Sequence, residues 1–148
     1  MNKQITEDYC SCETAKLLKE KGFDEICSYE WGVPDIDKGY VLQKWVINNG
    51  QIRNSDLIDG AYAAPSQSLA LKYLREVHGL HIDVFIGSDE SHDADGVMVD
   101  EWHFWTYYIT NTSGDMIYDA YNKVDVIEYQ TYEEATEAAL LYVLKNLI

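Results

Sequence analysis

At 148 residues the chain has the length of a single domain and can bury a core without a metal or disulfide framework. Its composition, 47% hydrophobic and 13% aromatic, excludes a disordered or low-complexity chain. With 11 basic residues against 26 acidic ones the formal charge is −15, a field that repels phosphate backbones and argues against direct nucleic-acid binding.

Residues 1–9 are polar and read as loose or strand-like. Ser11 is placed to cap a helix over residues 12–21, with Ala15, Leu17 and Leu18 facing inward, Gly22 as its stop and Phe23 packing back on it. The run ICSYEW from Ile26 reads as a strand, and GVPDIDKG breaks it. YVLQKWVIN, residues 40–48, is β-branched and aromatic and predicts a further strand. Asn49-Gly50 then predicts a type I′ hairpin turn, with residues 51–53 pairing back. The loop 54–64 carries Leu57, Ile58 and Tyr62, so it is expected to be packed.

Residues 64–86 are the stretch around which the rest is organised: a helix, a glycine stop and a strand beneath it. Pro65 fits the first helical turn, and Ala70, Tyr73, Leu74 and Val77 recur at the spacing of a buried stripe. Gly79 ends the helix, and a strand follows over residues 81–86, with Ile82, Val84 and Ile86 on its apolar face. GSDESHDADG, residues 87–96, reads as an acidic loop. VMVDEWHFWTYYIT reads as one long strand, or as two with a break near Asp100-Glu101, and Trp105, Tyr107 and Ile109 share a face. Residues 111–114 turn the chain, residues 115–121 return as a hairpin partner, and residues 124–129 form a short final strand or extended segment. Thr131 and Glu134 make the capping box of a last helix running from Tyr132 to about Asn146. This order predicts one α+β domain over residues 1–148, a mainly antiparallel sheet with about three helices packed on one face.

Three stretches together, SCETAKLLKEKGFDEICSYEW, AAPSQSLALKYLREVHGLHIDV and YQTYEEATEAALLYVLKNLI, resemble a group of small proteins encoded by phages and prophages of gut Bacteroidetes. Similar S-x-E-T-A-x-L-L-K-E-K-G-F, A-P-[ST]-Q-S-L-x-x-K-W-L-R-E and Y-E-E-A-x-E-A-A-L motifs recur in that group, with Tyr73 here in place of the tryptophan. The resemblance implies a mobile-element origin and a bacterial cytoplasmic setting, and it carries no activity or catalytic residue. The same motif residues are caps and core, which speaks for fold rather than chemistry.

No phosphate-binding loop, nucleophile elbow, zinc-helix motif or dinucleotide fingerprint is present in the sequence. Cys10, Cys12 and Cys27 form an odd set without a disulfide framework, which fits a reducing compartment, and they lack an adjacent fourth ligand for zinc. No apolar run approaches the roughly 20 residues that span a bilayer. Between Glu76 and Asn122 there is no Lys or Arg, yet ten acids. Within it, Asp89, Glu90, Asp93, Asp95, Trp102, His103 and Trp105 are the candidate binding residues, and no catalytic residue or cofactor is expected. The expected function is non-enzymatic protein binding; in its sharpest form the acids imitate a phosphate array and block a host DNA-binding protein. The alternative is a metal-dependent hydrolase or small-molecule binder on the acidic stretch 89–103. His92, Asp93, Asp95 and His103 would be its ligands, since carboxylates and imidazoles suit hard or borderline cations. Gly96 does not place an EF-hand loop, because Ser91 and Trp102 would fall at its first and twelfth positions.

Overall fold

The structure, a computed structural model, describes residues 7–123 and 125–148. Helix α1, Cys12–Glu20, begins where expected: the Ser11 side chain accepts from the Thr14 N–H, and Phe23 donates back to the Leu18 carbonyl while burying its ring. The first sheet follows in the order β2-β1-β3, all antiparallel, from β1 (Tyr29–Gly32), β2 (Val41–Lys44) and β3 (Tyr62–Ala64). Asn49-Gly50 is not the hairpin turn. Asn48, Asn49 and Gly50 all take positive φ in a short 3-10 turn, and Ile52 then bridges to Cys27 instead of pairing back on β2. The hairpin that does form joins β1 to β2 across the Gly- and Pro-containing segment 33–40. β2 ends at Lys44, short of the strand expected over residues 40–48, so Val46 and Ile47 beyond it are exposed, and Ile58 stands outside the packed loop expected for it.

Helix α2, Gln67–His78, is capped by Ser66, whose side chain accepts from the Leu69 N–H; Pro65 therefore precedes the helix rather than occupying its first turn. Ala70, Tyr73 and Leu74 are buried as the stripe predicts, but Val77, the last position of that stripe, is 60% exposed. Gly79 takes φ 66°, the left-handed cap that lets the chain double back at once into β4.

The second sheet, order β4-β5-β6, is built from β4 (Leu80–His92), β5 (Met98–Asn111) and β6 (Met116–Asp119). The acidic loop of the sequence reading is therefore mostly strand, and β5 runs unbroken through Asp100-Glu101. The final extended segment reduces to a bridge between Tyr129 and Trp105, and its first residue, Val124, lies outside the described residues, as do residues 1–6 of the opening segment. Helix α3, Tyr132–Asn146, starts at Thr131, which accepts from the Glu134 N–H. Glu134 reaches back to the Gln130 N–H, one residue before the cap, so the box is wider than the usual one.

The fold is α+β, with two three-stranded antiparallel sheets rather than one. Its core lies where Leu18, Leu74, Tyr107, Ile109, Leu140, Val143 and Leu144 meet, between the helices and one face of the second sheet. Several of the tyrosines pack here: Tyr118 stacks on Tyr142 at 3.9 Å, and Tyr107 neighbours both Tyr118 and Tyr129. No helix among the described residues is long and apolar enough to cross a membrane.

Candidate functional site

The β4–β5 hairpin outruns the body of the protein. Register pairs Ile82 with Ile109 and Val84 with Tyr107 over the core, then continues outward through Ser88 and His103, Asp89 and Trp102, Glu90 and Glu101, and Ser91 and Asp100. From Ser88 to His103 every residue except Ser91 is exposed. The tip is closed by Asp93, whose carboxylate accepts from the Asp95 and Val97 N–H groups at 2.9 Å, with Gly96 at φ 78°. Asn111 closes the β5–β6 turn in the same way, accepting from Ser113 and Asp115 with Gly114 at φ 83°. Asp95-Gly96 is thus the Asp-Gly hairpin signal that reading the region as a loop passed over.

Alternation along the strands sorts the candidate residues by face. Glu90, His92, Glu101 and His103 continue the core-facing side, while Asp89, Asp100 and Trp102 continue the opposite side. On the first side Glu90 lies directly opposite Glu101, a like-charge pair that costs stability. Each has an imidazole beside it two residues along its own strand, His92 at 3.4 Å from Glu90 and His103 at 3.8 Å from Glu101. On the other side the Trp102 indole N–H donates to the Glu128 carboxylate at 3.1 Å. Trp105 stands at the base of the arm and packs edge-on against Tyr132 at 5.5 Å, so it is a support rather than part of the exposed surface.

This geometry separates the residues proposed for a metal. His103 lies opposite Ser88, four residues from His92 on β4, so the two residues stand about 13 Å apart along the ribbon. Asp93 is engaged in the turn. Among the described residues no group of three or more His, Cys, Asp or Glu side chains could hold a metal ion, the three cysteines included. The ten acids between Glu76 and Asn122 also fail to share one surface: Glu76 is on α2, Asp115 and Asp119 are at the far end of the sheet, and the arm carries its carboxylates on both sides. Imitation of a phosphate array requires one surface.

The side of the sheet turned away from the helices holds a feature that the sequence reading missed. Tyr121, from the turn after β6, lies across Gly87, near Phe85 and Phe104, and donates its hydroxyl to the Ser88 carbonyl at 3.0 Å. It clamps the arm at its root. An isolated glycine inside a strand, the usual sign of close approach by another group, was the signal available for it. No protein-family model, curated protein or solved structure matches this chain.

Proposed function

We propose that this is a non-enzymatic accessory protein of phage or mobile-element origin that acts in a bacterial cytoplasm by binding a basic protein through the β4–β5 arm. The observation that supports this reading is the arm itself, a two-stranded ribbon exposed on both sides. It carries six acids between Asp89 and Glu101, no Lys or Arg, and the exposed apolar residues Val97, Met98 and Val99 around its tip. Isolated exposed apolar residues are ordinary, but three in succession on a projecting hairpin form a contact surface. Carboxylates on both sides fit a partner that grips the ribbon in a cleft, attracted by charge and held by the apolar tip. The same distribution favours that reading over imitation of a phosphate array, and the separation of His92 from His103 leaves the metal-dependent alternative without a ligand set among the described residues.

The test replaces residues 90–101 by a two-residue Asn-Gly turn closing on Asp89 and Trp102, which face each other in the register. Immobilised intact and trimmed proteins are compared for capture from bacterial lysate at low and raised salt. A basic protein retained in stoichiometric amount by the intact chain alone, and released by salt, is the expected result. Equal capture by both forms, or no stoichiometric partner, overturns the proposal.

A further inference from the structure

The main-chain hydrogen bonds of β5 reveal which way β4 points its own. Trp105 exchanges both of its bonds with Tyr129, at 2.8 and 2.9 Å, and the Tyr107 carbonyl accepts from Ala120, so these residues direct their backbone groups away from β4. In an antiparallel pair, a residue opposite such a position also turns its N–H and C=O outward. Ile86 faces Trp105, Val84 faces Tyr107 and Ile82 faces Ile109, so these three β4 residues present backbone donors and acceptors along the outer edge of the sheet. Among the described residues none of these groups has a partner, and β4 is the terminal strand of its sheet. The neighbouring outward groups are occupied: the Ser88 carbonyl by Tyr121, the Glu90 N–H by the Asp89 carboxylate.

Folded proteins usually blunt such an edge with lysines, proline, a bulge or a short strand. From Leu80 to Ser91 β4 has no lysine and no proline, and its only irregularity lies at Ser91/His92, beyond the free groups. Alternation places Ile82, Val84 and Ile86 on one side of this edge, with Ile86 58% exposed, and Asp83 and Asp89 on the other. A second copy of this chain is a poor occupant, because edge-to-edge pairing would bring Asp83 and Asp89 of two chains, each of charge −15, into one sheet.

We propose that the outer edge of β4 accepts an extended strand from a basic partner, adding a fourth strand to the sheet. Its residues alternate between apolar side chains beside Val84 and Ile86 and Lys or Arg beside Asp83 and Asp89. The inference rests on the reading of the hairpin as the contact surface and supplies its mode: main-chain pairing gives affinity and the alternating side chains give selectivity.

The test uses the full chain and a peptide of about eight residues alternating valine and lysine, with a block peptide of the same composition as control. Amide exchange followed by NMR should show Ile82, Val84 and Ile86 unprotected in the free protein and slowed at least about tenfold by the alternating peptide alone. Ile86→Pro removes an outward N–H without touching the β4–β5 ladder, so it should weaken peptide binding at least about tenfold while leaving the thermal midpoint nearly unchanged. Protection of the three amides in the free protein, peptide binding that leaves them exchanging freely, or equal binding of the block peptide overturns the edge-docking inference. If Ile86→Pro unfolds the chain, the exchange measurement on the unmodified protein decides alone. A lysate partner that survives Ile86→Pro but is lost on trimming the arm would sink this inference and leave the proposed function standing.

Discussion

Glu137 shows how much one side chain of α3 organises. Its carboxylate accepts from the Ser11 N–H at 3.0 Å, from the Thr14 hydroxyl, and from the Gln67 side-chain amide at 3.3 Å, which gathers the N-terminal turns of α1 and α2 onto α3. Carboxylates near helix N-termini are favoured by the exposed N–H groups and the helix dipole, and charge-assisted bonds are the stronger ones. Thr14 and Gln67 are themselves buried, so removing the acceptor strands polar groups that have little access to water. Glu137→Ala is expected to lower stability by about 2–3 kcal/mol, read from the urea midpoint, whereas Glu137→Gln, which retains an acceptor oxygen, should cost about half as much. Equal midpoints for wild type and the alanine variant would contradict this account. The sequence reading placed Glu137 merely within the last helix, because its partners are more than a hundred residues away in the case of α1.

At the level of elements, the root of the arm depends on the fit between Gly87 and Tyr121. A methyl group at position 87 would lie 2.8 Å from the Tyr121 ring and 3.0 Å from Phe104, both too close. Gly87→Ala should therefore cost about 1–3 kcal/mol by overpacking, and much less in a Tyr121→Leu background, where a smaller side chain lets the methyl in. Thermal denaturation of the two single variants and the double variant measures this, and strictly additive losses would sever the link between the two residues. What was legible beforehand follows the same division between local and distant causes. The caps Ser11, Gly79 and Thr131 and the extent of α3 are written in adjacent residues, and they stand as read. Pairing is decided elsewhere in the chain. Asn49-Gly50 has the residues of a hairpin turn but flanks β2 and a segment that joins Cys27. GSDESH lacks strand-forming residues, yet it is extended because β5 continues opposite it. The acidic candidates were visible as a cluster, but the side of the ribbon each occupies follows from register, which no short stretch contains.

Across the whole molecule, titration adds a pH limit to stability that the acidic composition alone would hide. Burial pushes the Cys27 thiol from its ordinary 9.0 up to about 12, with the nearby Glu25 carboxylate adding to the effect. It also raises the Cys10 thiol and the Tyr107 hydroxyl, with Glu137 reinforcing the shift at Cys10 and neighbouring tyrosines that at Tyr107. These groups hold their protons more tightly folded than unfolded. Their stabilisation is therefore complete below the ordinary thiol range and is lost as pH rises toward the folded values. A single group of this kind removes up to about 1.4 kcal/mol per pH unit inside its window, so with allowance for partial solvent screening Cys27 should account for about 1–2 kcal/mol between about pH 9 and 10.5. Growing negative charge on a chain that already carries −15 acts in the same direction, so the wild-type curve cannot isolate the thiol. Cys27→Ala separates them: its urea midpoint should fall less steeply over that interval, while the two proteins keep a constant difference between pH 6 and 8, where the thiol is protonated in both states. Parallel curves across the whole range would show that Cys27 ionises in the folded protein as readily as in the unfolded one.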